Sequence, residues 1–391
     1  MRSWREPRFE RDISGDAALR SEDSASRLNG ECMIDPTTTK LEREFKHARP
    51  LIGCRFDPSG RFLFASAEDN TIQRFDLLTG SKVAFVGHTS WVRGMAFLGT
   101  PSADSGELDA WLKRAVALEA ATGFAAVTLP APKPQPFTLI SADYHGNILW
   151  WPGEADSPKP IRIVRAHDGW VRAIAVSPDG KTLASCGNDN AVKLWNAADG
   201  KPVRTLEGHA SHVYNVAFHP DGSRLVSQEL KGIVKDWDLK TGASTRDLDA
   251  KVLHKYDPTF MADIGGARSM CFNADGTQLA VAGISNVSNA FAGVGNPMVL
   301  LFDWKAGTSK QLKPKDAFQG TMWGVGFHPK GYVIAAGGGA GGRIWFWKRD
   351  ELVSSHMVTL PANARDMALH PSGKRLAVAG SNGSALVYAL G

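Results

Sequence analysis

Short apolar runs of Val, Ile, Leu and Phe, partly alternating with polar residues, recur along the chain and are separated by tight polar turns. Runs of that length and composition predict β-strands. Residues 165–200 and 206–242 show the pattern most plainly. Each reads as His, an apolar run, Pro-Asp-Gly, a second apolar run, and a third run ending in Trp. Pro fixes φ and Gly accepts positive φ, so Pro-Asp-Gly sets a tight corner between the first two strands. Related corners stand at 57–60, 177–180, 219–222, 273–276, 328–331 and 370–373. A further unit begins at Gly87-His88, loses its corner to an insertion, and resumes near 137. The pattern therefore predicts seven units.

The spacing of about 42 residues, the Gly-His opening and the Trp-Asp close at Trp237-Asp238 resemble the WD-repeat family. The resemblance runs from about residue 40 to the end. It implies an all-β, seven-bladed propeller around a central channel. It also implies a buried tetrad of His, Ser, Asp and Trp in each complete blade. His167, Ser185, Asp189 and Trp195 occupy those places in the third unit. The fourth has His209, Ser227 and Trp237, with Lys231 where Asp is expected. The second has His88, Ser141 and Trp151, with His145 at the acid position. Phe75-Asp76 and Phe302-Asp303 replace Trp-Asp elsewhere, so most blades are expected to rest on apolar packing.

The last unit ends on its third strand, one strand short. Residues 40–45 can supply the fourth and close the ring, which removes exposed edges. The propeller is thus assigned to 40–391, and the polar, non-periodic residues 1–39 read as a disordered tail. Met33, just before the closing strand, is expected to be the native translation start. Residues 98–137 form the insertion. There Leu108, Trp111, Leu112, Ala115 and Val116 follow helical spacing, which predicts a short helix docked on the blade rim or free for a partner. The fifth unit carries two excursions, 254–269 and 284–297, the second read as a mobile loop with Phe291 at its tip.

Composition changes this picture little. A net charge of +5 on 391 residues does not by itself argue for nucleic acid, and no basic face is evident. Cys32, Cys54, Cys186 and Cys271 form no C-x-x-C motif, and the last three sit in apolar runs as free thiols. No apolar stretch reaches membrane-spanning length, no signal peptide is evident, and a cytoplasmic protein is expected. Catalytic motifs are lacking. His209-x-x-His212 has ligand spacing, but His209 belongs to a tetrad, so neither metal nor cofactor is expected. The glycines of 335–343 lead into a strand rather than a helix and read as a turn. His219, His328 and His370 read as corner residues.

The resemblance also places the residue five after each tetrad His at the top of the channel. Those positions are Ile52, Arg93, Arg172, Tyr214, Arg268, Trp323 and Arg365. Three after the His lie Trp91, Trp170 and His212. Arg with Trp and Tyr is the composition of binding hot spots, and forked guanidiniums suit carboxylates and phosphates. The arginines could instead pair with turn acids such as Glu68 or stack on their aromatic neighbours. The leading expectation is a monomeric, non-catalytic scaffold whose top face binds an acidic or phosphorylated peptide or partner-protein segment. A propeller enzyme of hydrolase or lyase type with a channel site is one alternative. Nucleic-acid association is the other.

Overall fold

The computed structural model describes residues 34–99, 135–289 and 294–391. The account below concerns the unit Asp35–Gly391. Most of the expected tail with Met33 and Cys32, the helical insertion with Trp111, and the loop tip Phe291 lie outside the described residues. Pro36–Thr38, within the stretch read as tail, forms one 3-10 turn. The Asp35 carboxylate accepts from the Thr37 N–H at 2.9 Å.

The strands pair into seven four-stranded antiparallel sheets and one two-stranded hairpin among the described residues. The blades' innermost strands are Leu51–Phe56, Val92–Leu98, Val171–Val176, Val213–Phe218, Ala267–Phe272, Gly320–Phe327 and Ala364–Leu369. Each contacts the innermost strand of the next blade, and the seventh contacts the first, so the ring is closed. Lys40–Lys46 takes the outermost place in the seventh sheet, paired antiparallel with Ser384–Ala389. The two ends of the chain's propeller therefore share one blade, and the seventh blade cannot open without breaking that ladder.

The core lies between the sheets. Trp150, Trp151, Trp237, Trp347, Phe64, Phe75 and Phe302 are essentially fully buried there. Each large aromatic of this kind contributes about 3–5 kcal/mol against truncation to Ala. In three blades an indole also anchors a polar chain. Trp195 Nε1 donates to Ser185 Oγ at 2.9 Å. Ser185 meets His167 Nε2 at 2.7 Å, and His167 Nδ1 meets Asp189 Oδ1 at 2.8 Å. All donors in this buried line find acceptors, as a sheet interior demands.

Blades 2 and 4 correct the sequence expectation. Neither His145 nor Lys231 stands in for the acid. In blade 2 the carboxylate is Asp143, at 2.8 Å from His88 Nδ1, with His88 Nε2 on Ser141 and Trp151 Nε1 on Ser141. In blade 4 it is Glu229, at 3.1 Å from His209 Nδ1, with Ser227 and Trp237 completing the line. Both acids lie two residues after the Ser, on the same face of the strand. Blade 3 holds Gly187 there, because a Cβ would press on the His167 ring and the Trp170 carbonyl. Its acid comes from the following turn. The four remaining blades lack this line. In blade 1 Phe75 replaces the indole and Ala65 the serine. In blade 6 Trp347 Nε1 turns instead to the Lys313 carbonyl at 3.0 Å.

The corner histidines do more than turn the chain. His219 Nε2 reaches the Gly276 carbonyl of the next blade at 3.1 Å, His328 reaches Gly373 at 2.8 Å, and His370 reaches Gly60 across the ring seam at 2.9 Å. Backbone N–H groups donate to the Nδ1 atoms of His328 and His370, both at 3.1 Å, so Nε2 carries the proton there, while His219 Nδ1 lies 2.9 Å from the Asp221 carboxylate. A Cβ on Gly60 or Gly276 would collide with the latching imidazole. Arginines make similar ties at this end. Arg74, Arg162, Arg204 and Arg246 donate to Gly153, Ala198, Leu239 and Trp304 carbonyls of the next blade, at 2.8, 2.7, 3.3 and 2.5 Å.

Blade 5 departs from the expected loop at 284–297. Its second and third strands, Gln278–Asn289 and Val294–Asp303, extend the ladder through Ser285↔Asn296 to Asn289↔Val294. Apolar Ile284, Val287 and Met298 are buried along it, which keeps the pairing going. The other excursion is a hairpin, His254–Asp257 with Ala262–Gly265.

Candidate functional site

Each innermost strand skips one residue in its pairing near its start. The register shifts fall between Leu51 and Gly53, Val92 and Gly94, Val171 and Ala173, and Val213 and Asn215. They recur between Ala267 and Ser269, Met322 and Gly324, and Ala364 and Asp366. The skipped residues are Ile52, Arg93, Arg172, Tyr214, Arg268, Trp323 and Arg365, the seven positions singled out in the sequence. A β-bulge leaves its residue unpaired and re-aims its side chain. Here it does so seven times around one channel.

Five of the seven come together. Arg93, Arg172, Tyr214, Arg268 and Trp323 line a cavity of about 640 Å³ that also takes in Arg55, Tyr144, Met95, Met270 and Asp366. Arg172 sits between two rings, 4.3 Å from Trp170 and 4.3 Å from Tyr214. Arg268 lies 5.3 Å from Tyr214 and 5.3 Å from Trp323, and Arg93 lies 5.8 Å from Trp323. Arg93 Nη1 donates to the Ile52 carbonyl at 2.5 Å and to Arg365 O at 3.1 Å, so its side chain sweeps over blades 1 and 7. Ile52 itself is buried and contributes that carbonyl alone.

Arg365 takes the pairing weighed in the sequence, with its Nη1 on Glu68 Oε1. Glu68 also accepts, through its carbonyl, from Trp91 Nε1 at 3.0 Å. Deeper in the channel Arg55 pairs with Asp366 at 2.7 Å. Arg93, Arg172 and Arg268 have no carboxylate within ion-pair distance among the described residues. Arg172 Nε bonds Asn188 Oδ1 at 2.8 Å, which fixes the fork. Arg268 Nε is fully out of solvent with no acceptor. Burial pushes the Arg268 guanidinium below its ordinary value; Tyr214 opposes this, and the charges of Arg172 and Arg93 add to it.

Sequence reasoning missed Tyr144. It stacks flat on Trp170, with centroids 4.1 Å apart and planes 4° apart, and meets Trp91 at 6.4 Å. Its signal was available, since it follows Asp143 directly at the strand end that faces the channel. Trp91 and Trp170 remain 43% and 41% exposed, and His212 is exposed beside them. Burial and the nearby Arg172 lower the His212 pKa. His209 is held in its tetrad and does not join His212. No grouping of three or more His, Cys, Asp or Glu suited to a metal occurs among the described residues. Among those residues no helix is long and apolar enough to cross a membrane.

Comparison with known proteins agrees with this geometry. Residues 39–76, 158–196 and 200–235 match the family described as "WD domain, G-beta repeat". The chain is 39% identical over 62 residues to ribosome assembly protein 4 of Chaetomium thermophilum, covering 16% of this chain and 12% of that protein. It is 32% identical over 82 residues to small ribosomal subunit protein RACK1y of Oryza sativa subsp. japonica, covering 21% and 24%. It is 24% identical over 140 residues to nuclear distribution protein PAC1 of Yarrowia lipolytica, covering 36% and 26%. The chain thus spans about a quarter or less of these relatives' lengths.

Proposed function

The chain belongs to the WD-repeat β-propeller family, and on that premise we propose that it is a non-catalytic interaction scaffold. Its top face, the end where the innermost strands begin, binds an acidic or phosphorylated segment of a partner protein. The observation that carries this reading is the set of three guanidiniums, Arg93, Arg172 and Arg268, facing one cavity without a carboxylate partner. Unpaired, partly desolvated cations are costly unless an anion joins them. The stacking on Trp170, Tyr214 and Trp323 holds the forks in place beforehand, so less freedom is lost on binding.

The names of the relatives support a role in assemblies: ribosome assembly, a ribosomal subunit and nuclear distribution. They say nothing of the anion. The π-faces of Tyr144 and Trp170 are taken up by each other and by Arg172, which leaves little for single-stranded bases to stack on. Affinity capture from native extract tests the reading, comparing wild type with Arg172→Glu and Arg268→Glu. Specific partners are expected with wild type and lost with both variants. An unchanged set of captured proteins would sink the idea.

A further inference from the structure

The scaffold reading leaves open which anion the top face holds. Resting on that reading, we propose that Arg93, Arg172 and Arg268 form a socket for one phosphoryl dianion, recessed in the channel mouth.

Three features of the cavity select this ligand. The first is charge. Of the five arginines at the mouth and in the channel, Arg55 is neutralised by Asp366 and Arg365 by Glu68, leaving three positive charges on one cavity. A single carboxylate would offset one of them. A phosphomonoester carries about −1.5 to −2 at neutral pH. The second is shape. The three guanidiniums arrive from different blades, the second, third and fifth, so their donors converge from three directions. A tetrahedral oxyanion offers three oxygens to three sides at once, whereas a planar carboxylate matches one fork.

The third is an unmet donor. Arg268 Nε is buried, lines the cavity and has no acceptor, which is a hydrogen bond the folded chain leaves for something else. Tyr214 bonds the Arg268 side chain but leaves Nε unmet, Asn188 Oδ1 is on Arg172, and Asp366 is on Arg55 and the Cys54 N–H. Arg365 stays outside the socket, because Glu68 occupies its fork. The same chemistry could reach the site on a phosphorylated side chain of a partner or as a free polyphosphate.

Isothermal titration of the full chain at constant ionic strength separates these. The probes are pyrophosphate, a phosphoserine hexapeptide, and the same peptide with Glu or Ser at that position. We expect saturable one-to-one binding of a phosphoryl probe, at least tenfold weaker in Arg268→Gln and Arg172→Gln. Arg268→Lys, which keeps charge but loses the fork, should fall between. Lys181→Gln, at the opposite end, should bind as wild type does. Melting in chloride buffer establishes that each variant is folded. Tighter binding of the phosphopeptide than of pyrophosphate assigns the socket to a partner's side chain, and the reverse order to a free small molecule. Binding that does not saturate, or is equal in all arginine variants, marks an adventitious ion only and overturns the socket. Glu-peptide binding that needs Arg172, with no response to phosphoryl probes, overturns the socket and leaves the scaffold. Phosphoryl binding with no protein captured from extract leaves the socket and overturns the scaffold.

Discussion

The two ends of this propeller use the same residue types in opposite ways. At the corner end, Arg74, Arg162, Arg204 and Arg246 donate to carbonyls of the next blade, and His219, His328 and His370 do the same. Every one of those donors is answered by the fold. At the other end Arg93 is answered in the same way by the Ile52 and Arg365 carbonyls, but Arg172 and Arg268 are stacked and aimed at the channel without a counter-charge, and Arg268 Nε has no acceptor. The difference is one of backbone geometry. Corner-end side chains leave regular strands or turns and lie against the neighbouring blade. Top-end side chains leave β-bulges, which turn them away from the ladder and into the channel. Polar groups that the fold satisfies report on assembly of the ring, and polar groups that it leaves open report on binding.

The comparison breaks if stability and binding fail to separate. The largest effect is expected in the interior between the ends. Trp195→Ala removes a buried indole and the donor to Ser185, so it should cost about 3–5 kcal/mol in denaturant unfolding. At the top, Arg172→Glu should lower affinity for an acidic or phosphoryl probe by about 2–5 kcal/mol, which is more than tenfold. It should shift unfolding by no more than about 1–2 kcal/mol, because the Asn188 bond and the stacking on Trp170 and Tyr214 are lost but no ion pair is. A large loss of stability there would mean that the girdle of stacked Arg and aromatic residues holds the ring together and is no site.

The legibility of the sequence followed the same division. Strand pattern, corner spacing and tetrad positions identified the architecture, because each rests on local chemistry that repeats. The seven bulge positions were also readable, through the resemblance to the WD-repeat family, which aligns the units with one another. What could not be read was pairing. His145 and Lys231 looked like failed acids because one spacing was assumed, while Asp143 and Glu229 reach the same His from the strand instead. Glu68 is a candidate partner from the sequence, but which of the four arginines it takes is set by the fold, and it is Arg365. The corner histidines hid their latches for the same reason, because their acceptors belong to other blades. The extended ladder of blade 5 was masked by Gly, Asn and Ser, whose turn preference yields here to cross-strand pairing.

The corner end offers a sharper test of its structural role. His370→Ala removes the latch across the seam and leaves the Gly60 carbonyl without that donor, so it should cost about 1–3 kcal/mol. Probe affinity should stay as in wild type. Weakened binding without loss of stability would show that the seam communicates with the mouth and would undo the separation of the two ends.

The smallest effect is a pH dependence. Burial lowers the His328 pKa; the bond to Gly373 O opposes this and Lys330 adds to it. Protonation of Nδ1 would also break the bond it accepts from the Lys330 N–H. A histidine whose folded pKa lies below its unfolded value of about 6.5 binds fewer protons when folded. Its contribution is therefore present above pH 6.5 and is lost as pH falls below it. The tetrad acids act lower. Burial raises the Asp143 and Glu229 carboxyls, but hydrogen bonds from His88 and His209 and from backbone N–H groups leave both below their ordinary values. Their stabilisation is complete above about pH 4.5 and declines as pH falls through their folded values. Melting curves of wild type and His328→Gln from pH 8 to pH 2 resolve the two windows. The advantage of wild type over the variant should shrink as pH drops below about 6.5, and both proteins should lose stability together below about 4.5. An advantage that stays constant across that range would mean the imidazole keeps the latch when charged, and that the answered donors at the corner end do not depend on the neutral ring.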